Sequence, residues 1–84
     1  MKLIFCRNCQ DVFKVTETEK KCKCELCSAI SLDGTNSLYK GPAVPIGFNN
    51  TSLVLAIQNQ PESGQGEEFI AFVIPKTCGT FIKL

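Results

Sequence analysis

Six cysteines in 84 residues, five of them within the first 27, restrict this chain more than any other feature. They fall as Cys6-x2-Cys9, twelve intervening residues, then Cys22-x-Cys24-x2-Cys27, with Cys78 far downstream. Two close-set pairs facing each other across a hairpin put four sulfurs at the corners of a tetrahedron, as zinc requires at Zn–S distances of about 2.3 Å. Four thiolates close the coordination shell and leave no position for water or substrate, so the spacing predicts one structural ion. Iron centres take the same ligand type, which makes zinc the expected metal and iron the lesser one. Disulfide pairing is the competing use of these cysteines, and the crowding between Cys22 and Cys27 argues against it. A redox role for Cys6-x2-Cys9 lacks the βαβ pattern that accompanies such motifs. Knuckle geometry alone prefers Cys24-x2-Cys27 for the second pair, because two intervening residues let a tight turn aim amide N–H groups at the first sulfur. Cys24 is a ligand on every assignment.

A chain this short is near the size at which a hydrophobic core alone is marginal, and a metal staple answers that need. Its 44% hydrophobic and 20% charged residues are those of a globular protein. The start "MKLIFCRN" offers three apolar residues before Cys6, too few for a signal-peptide core. Bulky Phe5 before Cys6 argues against a lipid anchor, and no run approaches the roughly 20 apolar residues of a membrane span. The expected compartment is the cytoplasm, where clustered cysteines stay reduced and bind metal.

The chain has no histidine. That removes Cys-His nucleophiles, Ser-His-Asp triads, His-ligated catalytic zinc and the usual proton shuttle, and a non-enzymatic role is expected. Formal net charge is +1, with the excess at the front: Lys2, Arg7, Lys14, Lys20, Lys21 and Lys23 face Asp11, Glu17, Glu19 and Glu25. These lysines suit neutralisation of a negatively charged thiolate site better than phosphate binding, which needs a larger basic excess.

Along the chain, residues 1–5 read as a strand entering the first knuckle and Val12–Val15 as the strand leaving it. "TETEKK" (16–21) suits a hairpin tip, and Asp33-Gly34 marks a turn. Leu38-Tyr39-Lys40 begins an extended stretch. In "KGPAVPIGF" Pro42 and Pro45 forbid a helix and a central ladder position, which predicts an irregular edge strand or loop. Asn50, Thr51 or Ser52 caps a short helix over about 51–60, ended by Pro61, with Leu53, Ala56 and Ile57 on one face. "ESGQGEE" is a glycine loop. "FIAFVIP" (69–75) reads as a central strand buried on both faces, and "FIKL" as a final edge strand. The fold expected is therefore a single small α+β, mostly β domain: an N-terminal zinc ribbon of two knuckles (1–32) joined to a β-rich half (38–84) with one short helix.

The segments "FCRNCQDVFKV", "CKC", "YKGPAVPIGFNNTS", "AIQNQPESGQGE" and "AFVIPKTCGTF" together resemble an uncharacterised family of small zinc-ribbon proteins in bacterial and phage genomes. The resemblance covers nearly the whole chain. It implies that the second knuckle is Cys22-x-Cys24, giving Cys6, Cys9, Cys22 and Cys24 as ligands with Cys27 competing with Cys22. The family pattern tends to have Gly after each knuckle, where this chain has Gln10 and Glu25.

Other candidate positions lie downstream. Gly64 and Gly66 form a Gly-x-Gly that can expose amide N–H groups to an anion, although Glu62, Glu67 and Glu68 oppose one. Cys78 reads as a structural cysteine, with Lys76 near enough to activate it otherwise. Tyr39, Asn49, Asn50, Gln60 and Lys76 complete the set of expected ligand-contacting residues. The functional expectation is a non-catalytic binding protein that takes a small anionic or nucleotide ligand or a protein partner, a second copy of itself included. If the phage resemblance holds, it acts on a host system. The alternative is a nucleic-acid-binding ribbon using Arg7, Lys14, Lys20, Lys21 and Lys23.

Overall fold

Short strands on either side of each cysteine group turn the chain back on itself twice. A computed structural model describes residues 2–84. β1 (Lys2–Cys6) runs into the first cysteine turn, and β2 (Val12–Lys14) returns antiparallel with Ile4 opposite Phe13. β3 (Lys20–Lys21) and β4 (Ser28–Ser31) flank the second cysteine turn, with Lys21 opposite Ser28. The loop into β5 (Ser37–Lys40) is held by Asp33, whose Oδ1 accepts the amides of Thr35 and Asn36 at 2.7 Å each. β6 (Ala43–Phe48), α1 (Asn50–Gln58), β7 (Ala71–Val73) and β8 (Phe81–Lys83) follow.

The strands form two four-stranded sheets, ordered β2-β1-β6-β7 and β3-β4-β5-β8. All pairs are antiparallel except β5 with β8. Each sheet takes strands from both sides of the Asp33 loop, so the cysteine-rich and cysteine-poor stretches of the sequence share both. The core gathers Ile4, Cys6, Ala29, Tyr39, Ala43 and Phe81 from strands of both sheets, together with Val15, Cys22 and Cys27. Phe81 is its largest fully buried side chain, 1% exposed and edge-on to Tyr39 at 5.1 Å, with the Lys2 ammonium 5.2 Å above its ring.

Three expectations are corrected. The proline-containing stretch is no edge: β6 sits between β1 and β7 and is the longest strand. Pro45 is tolerated there because its carbonyl accepts Ile74 N–H at 2.9 Å, so its N-side faces the β7 edge just beyond the end of β7, and no bond to β1 is lost. Conversely, the apolar 69–75 stretch is not central. β7 covers only Ala71–Val73, lies at the sheet's edge and has all three residues exposed. Finally, the helix cap is Asn49, whose Oδ1 accepts Ser52 N–H at 2.9 Å, and of the expected apolar face only Ala56 is buried while Ile57 is 62% exposed.

The molecule measures 42 × 26 × 22 Å, and its 14.3 Å radius of gyration exceeds the roughly 12 Å of a compact chain this long. Among the described residues no helix is long and apolar enough to cross a membrane.

Candidate metal centre

The two cysteine turns use the same backbone device. After Cys6 and Cys9 the chain enters the left-handed region at Gln10 (φ 60°), and after Cys22 and Cys24 it does so at Glu25 (φ 63°). Gln10 N–H then bonds the Cys6 carbonyl at 2.8 Å, and Glu25 N–H the Cys22 carbonyl at 3.0 Å. Neither residue is glycine, so each turn carries strain that a side chain with Cβ ordinarily avoids. Because a left-handed residue follows the last cysteine of each pair, Cys24 occupies in the second turn the place that Cys9 occupies in the first.

The turns bring the sulfurs of Cys6, Cys9, Cys22 and Cys24 within 4.8 Å of one another. Cys6 Sγ lies 3.7 Å from Cys24 Sγ, and Cys22 Sγ 3.4 Å from Cys24 Sγ. A tetrahedron with metal–sulfur bonds of about 2.3 Å has edges of about 3.8 Å. Disulfides need sulfurs about 2.05 Å apart, and all six cysteines are free. Donor type and separation therefore fit a thiophilic, tetrahedral metal ion held by Cys6, Cys9, Cys22 and Cys24.

Amides turn toward the sulfurs. Cys9 N–H points at Cys6 Sγ at 3.5 Å, and Cys27 N–H at Cys22 Sγ at 3.4 Å. The Cys9 amide is the main reason that Cys6 is drawn down to about 6, against the opposing effect of burial. Burial pushes Cys22 up, but the Cys27 amide and the Cys24 side chain more than offset it, and its net shift is downward. Asn8 and the Leu26 amide pull Cys24 down, yet burial and the neighbouring sulfurs of Cys22 and Cys9 leave it raised. Asp11 stabilises the second turn from the first, its Oδ2 accepting Lys23 N–H at 3.1 Å.

Cys27, the competitor for the fourth corner, stands outside the cluster. It is fully buried, and burial first, then the sulfur of Cys6, pushes its thiol up to about 12. A neutral thiol there packs as a small apolar side chain while its amide serves Cys22. Cys78 lies apart, half-buried beside Thr80, whose hydroxyl 3.5 Å away lowers its pKa.

Both turns seat a third segment, which sequence reasoning passed over. Pro42 carbonyl accepts Arg7 N–H at 2.9 Å from inside the first cysteine turn. Beside it Gly41 (φ +92°) presses on the second: a Cβ there would stand 2.0 Å from the Leu26 carbonyl oxygen. Only glycine satisfies both that dihedral and that approach. A Gly-Pro step between two strands is the signal that could have found it.

The expected ligand-contacting residues are not gathered into one place. Tyr39 and Lys76 line a single cleft of about 360 Å3, together with Arg7 and Lys83. Tyr39 is not the exposed group that its polar neighbours suggest; the inward alternation of β5 leaves it 3% exposed. Asn49 is consumed by capping, Asn50 begins α1 and Gly64 lies in an exposed loop. Gln60 and Gly66 line a separate groove beside α1 with Glu67. Nothing local marks Lys83 as a neighbour of Tyr39, because the β5–β8 pairing that joins them spans 44 residues of chain.

Comparison with family models, curated proteins and solved structures finds no match to this chain.

Proposed function

We propose that this chain is a non-catalytic binding protein, a zinc ribbon in which one structural zinc ion on Cys6, Cys9, Cys22 and Cys24 braces the surface that takes a small anionic ligand. The observation that carries the reading is the seating of the Gly41–Pro42 turn on both cysteine turns. Four thiolates leave zinc no site for chemistry, so its contribution is mechanical. It ties the two turns, and through them it fixes the start of β6 and the position of Arg7. The chain's own groups support the absence of a reaction: there is no histidine, and Cys78 has no base beside it beyond the Thr80 hydroxyl.

A nucleic-acid-binding ribbon is the weaker reading. Lys14, Lys20, Lys21 and Lys23 are interspersed with Asp11, Glu17, Glu19 and Glu25 in the sequence, and Asp11 itself holds the Lys23 amide. The resemblance to bacterial and phage proteins implies, for a phage-encoded chain, a target anion in the host cell, where sequestering it would be the biological act.

Metal analysis of the purified protein should return one zinc ion per chain. Calorimetric titration of the loaded protein with a panel of inorganic, aryl and nucleoside phosphates and a DNA duplex then tests the rest. Binding of a small anion but not of the duplex supports the reading; binding of the duplex alone at low salt overturns it in favour of the nucleic-acid ribbon.

A further inference from the structure

The cleft that holds Tyr39 and Lys76 differs in charge from three other hollows of comparable size among the described residues. Those beside α1 include Glu67 or Glu68, and the one under the Asp33 loop includes Glu17 and Asp33. The Tyr39 cleft is lined by Arg7, Lys76 and Lys83 and by no carboxylate. Its remaining walls are apolar: Pro42, Val44 and Ile74 among them. About 360 Å3 lies within the range of small-molecule sites, which are mostly apolar with a few converging polar groups.

A second observation points into the same place. Tyr39 is 3% exposed, and its hydroxyl makes no hydrogen bond within the described residues. It is nevertheless not buried beyond the reach of solvent. Tyr39 is one of the residues that line the cleft. A nearly buried residue whose hydroxyl has no hydrogen bond among the described residues, in a cleft that three cations also line, offers a donor to an incoming acceptor.

Resting on the proposed reading of an anion-binding protein, we infer that this cleft is the ligand site and that its ligand is a phosphomonoester on a flat, apolar ring system, either an aryl or a nucleoside phosphate. Three cations match a dianion better than a monoanionic carboxylate, and the planar Arg7 guanidinium can donate to two phosphate oxygens at once. Tyr39 O–H donates to a third. The ring lies against Val44 and Ile74, which inorganic phosphate would leave wet. Arg7 is held in place by the Pro42 carbonyl on its own amide, so the site is preformed on one side by the cysteine turns.

Tyr39 is the only tyrosine and there is no tryptophan, so its fluorescence reports the cleft directly. Phenyl phosphate and adenosine monophosphate are titrated into the zinc-loaded protein, with inorganic phosphate and phenol as controls. One of the two esters should change Tyr39 emission and bind at least about tenfold tighter than either control, and which one does so separates the simple aryl source from the nucleoside source. Arg7→Gln, Lys76→Gln and Lys83→Gln should each weaken that binding about tenfold with zinc content unchanged, whereas Lys20→Gln, outside the cleft, should not. Inorganic phosphate binding as tightly as both esters overturns the assignment of ligand class. Ester binding that the three cleft variants leave intact overturns the site while sparing the broader reading. Failure of every anion to bind overturns both.

Discussion

Between Lys2 and Phe48 the chain buries Leu3, Ile4, Cys6, Val15, Cys22, Cys27, Ala29, Tyr39 and Ala43 among others; between Asn49 and Thr80 it buries Ala56 alone. The second region instead leaves Val54, Leu55, Ile57, Phe69, Ile70, Phe72 and Val73 between 39% and 68% exposed. Its order comes from polar ties: Asn49 N–H to the Ile70 carbonyl at 2.8 Å, Ile70 N–H to Ser52 Oγ at 2.9 Å, and Ile74 N–H to the Pro45 carbonyl. One T-shaped pair, Phe48 with Phe69 at 5.1 Å, joins it to β6. The first region is held by burial around a cysteine cluster, and the second is templated on the edge of β6. A chain too small for two cores has made one and hung the rest from it. The second region should therefore fail with the first, but not the reverse.

Removing a ligand tests that dependence with the largest effect. Cys24→Ser or Cys22→Ser should abolish stoichiometric zinc and with it the cooperative unfolding transition, as read by metal analysis and circular dichroism. Cys27→Ser should keep one zinc per chain, because that sulfur lies outside the four. Zinc lost in Cys27→Ser but kept in Cys22→Ser would reverse the assignment of the second turn. Gly41→Ala comes next. It forces a Cβ to 2.0 Å from the Leu26 carbonyl at φ +92°, and the turn that rests on both cysteine pairs must shift. A loss of about 2–4 kcal/mol in urea unfolding of the zinc-loaded protein is expected.

The gathering of Cys6, Cys9 and Cys24 is legible in the sequence because short spacings fix geometry locally, whatever the rest of the chain does. The choice between Cys22 and Cys27 is not. It depends on which residue of "CKCELC" turns left-handed; spacing leaves that open, and only the resemblance, with Gly where Glu25 stands, points to that position. Long-range pairing hides the rest. The run Phe69–Pro75 is apolar enough for a central strand, but composition cannot say which strand occupies the edge, and β6 took the interior despite Pro45. Tyr39 and Lys83 meet through β5 and β8, which no nearby pattern connects. The helix is readable because capping and a terminating proline are local signals; its buried face is not, since burial depends on what packs against it.

The two strained positions allow the first region to be improved rather than broken. Gln10 and Glu25 hold φ near +60° with a Cβ, at a cost of about 1 kcal/mol each relative to a residue without one. Gln10→Gly and Glu25→Gly should each stabilise the zinc-loaded protein by up to that amount, partly offset by the greater freedom of glycine in the unfolded chain. Neither side chain is buried, so no packing is lost. A destabilisation above about 1 kcal/mol in either variant would mean that the side chain, rather than the backbone turn, organises the cysteine pair.

The smallest effect belongs to the second region and probes it most directly. Ile57 is 62% exposed on a helix whose only buried residue is Ala56. Ile57→Lys replaces a β-branched residue with a better helix former and removes little apolar surface from contact. In the isolated protein its stability should change by no more than about 0.5 kcal/mol by urea unfolding. Ala56→Asp, one position away, buries a charge against the same helix's only packed face and should cost several times more. Equal costs for the two substitutions would mean that α1 is packed on both faces. The contrast between a region with a core and a region without one would then have to be abandoned.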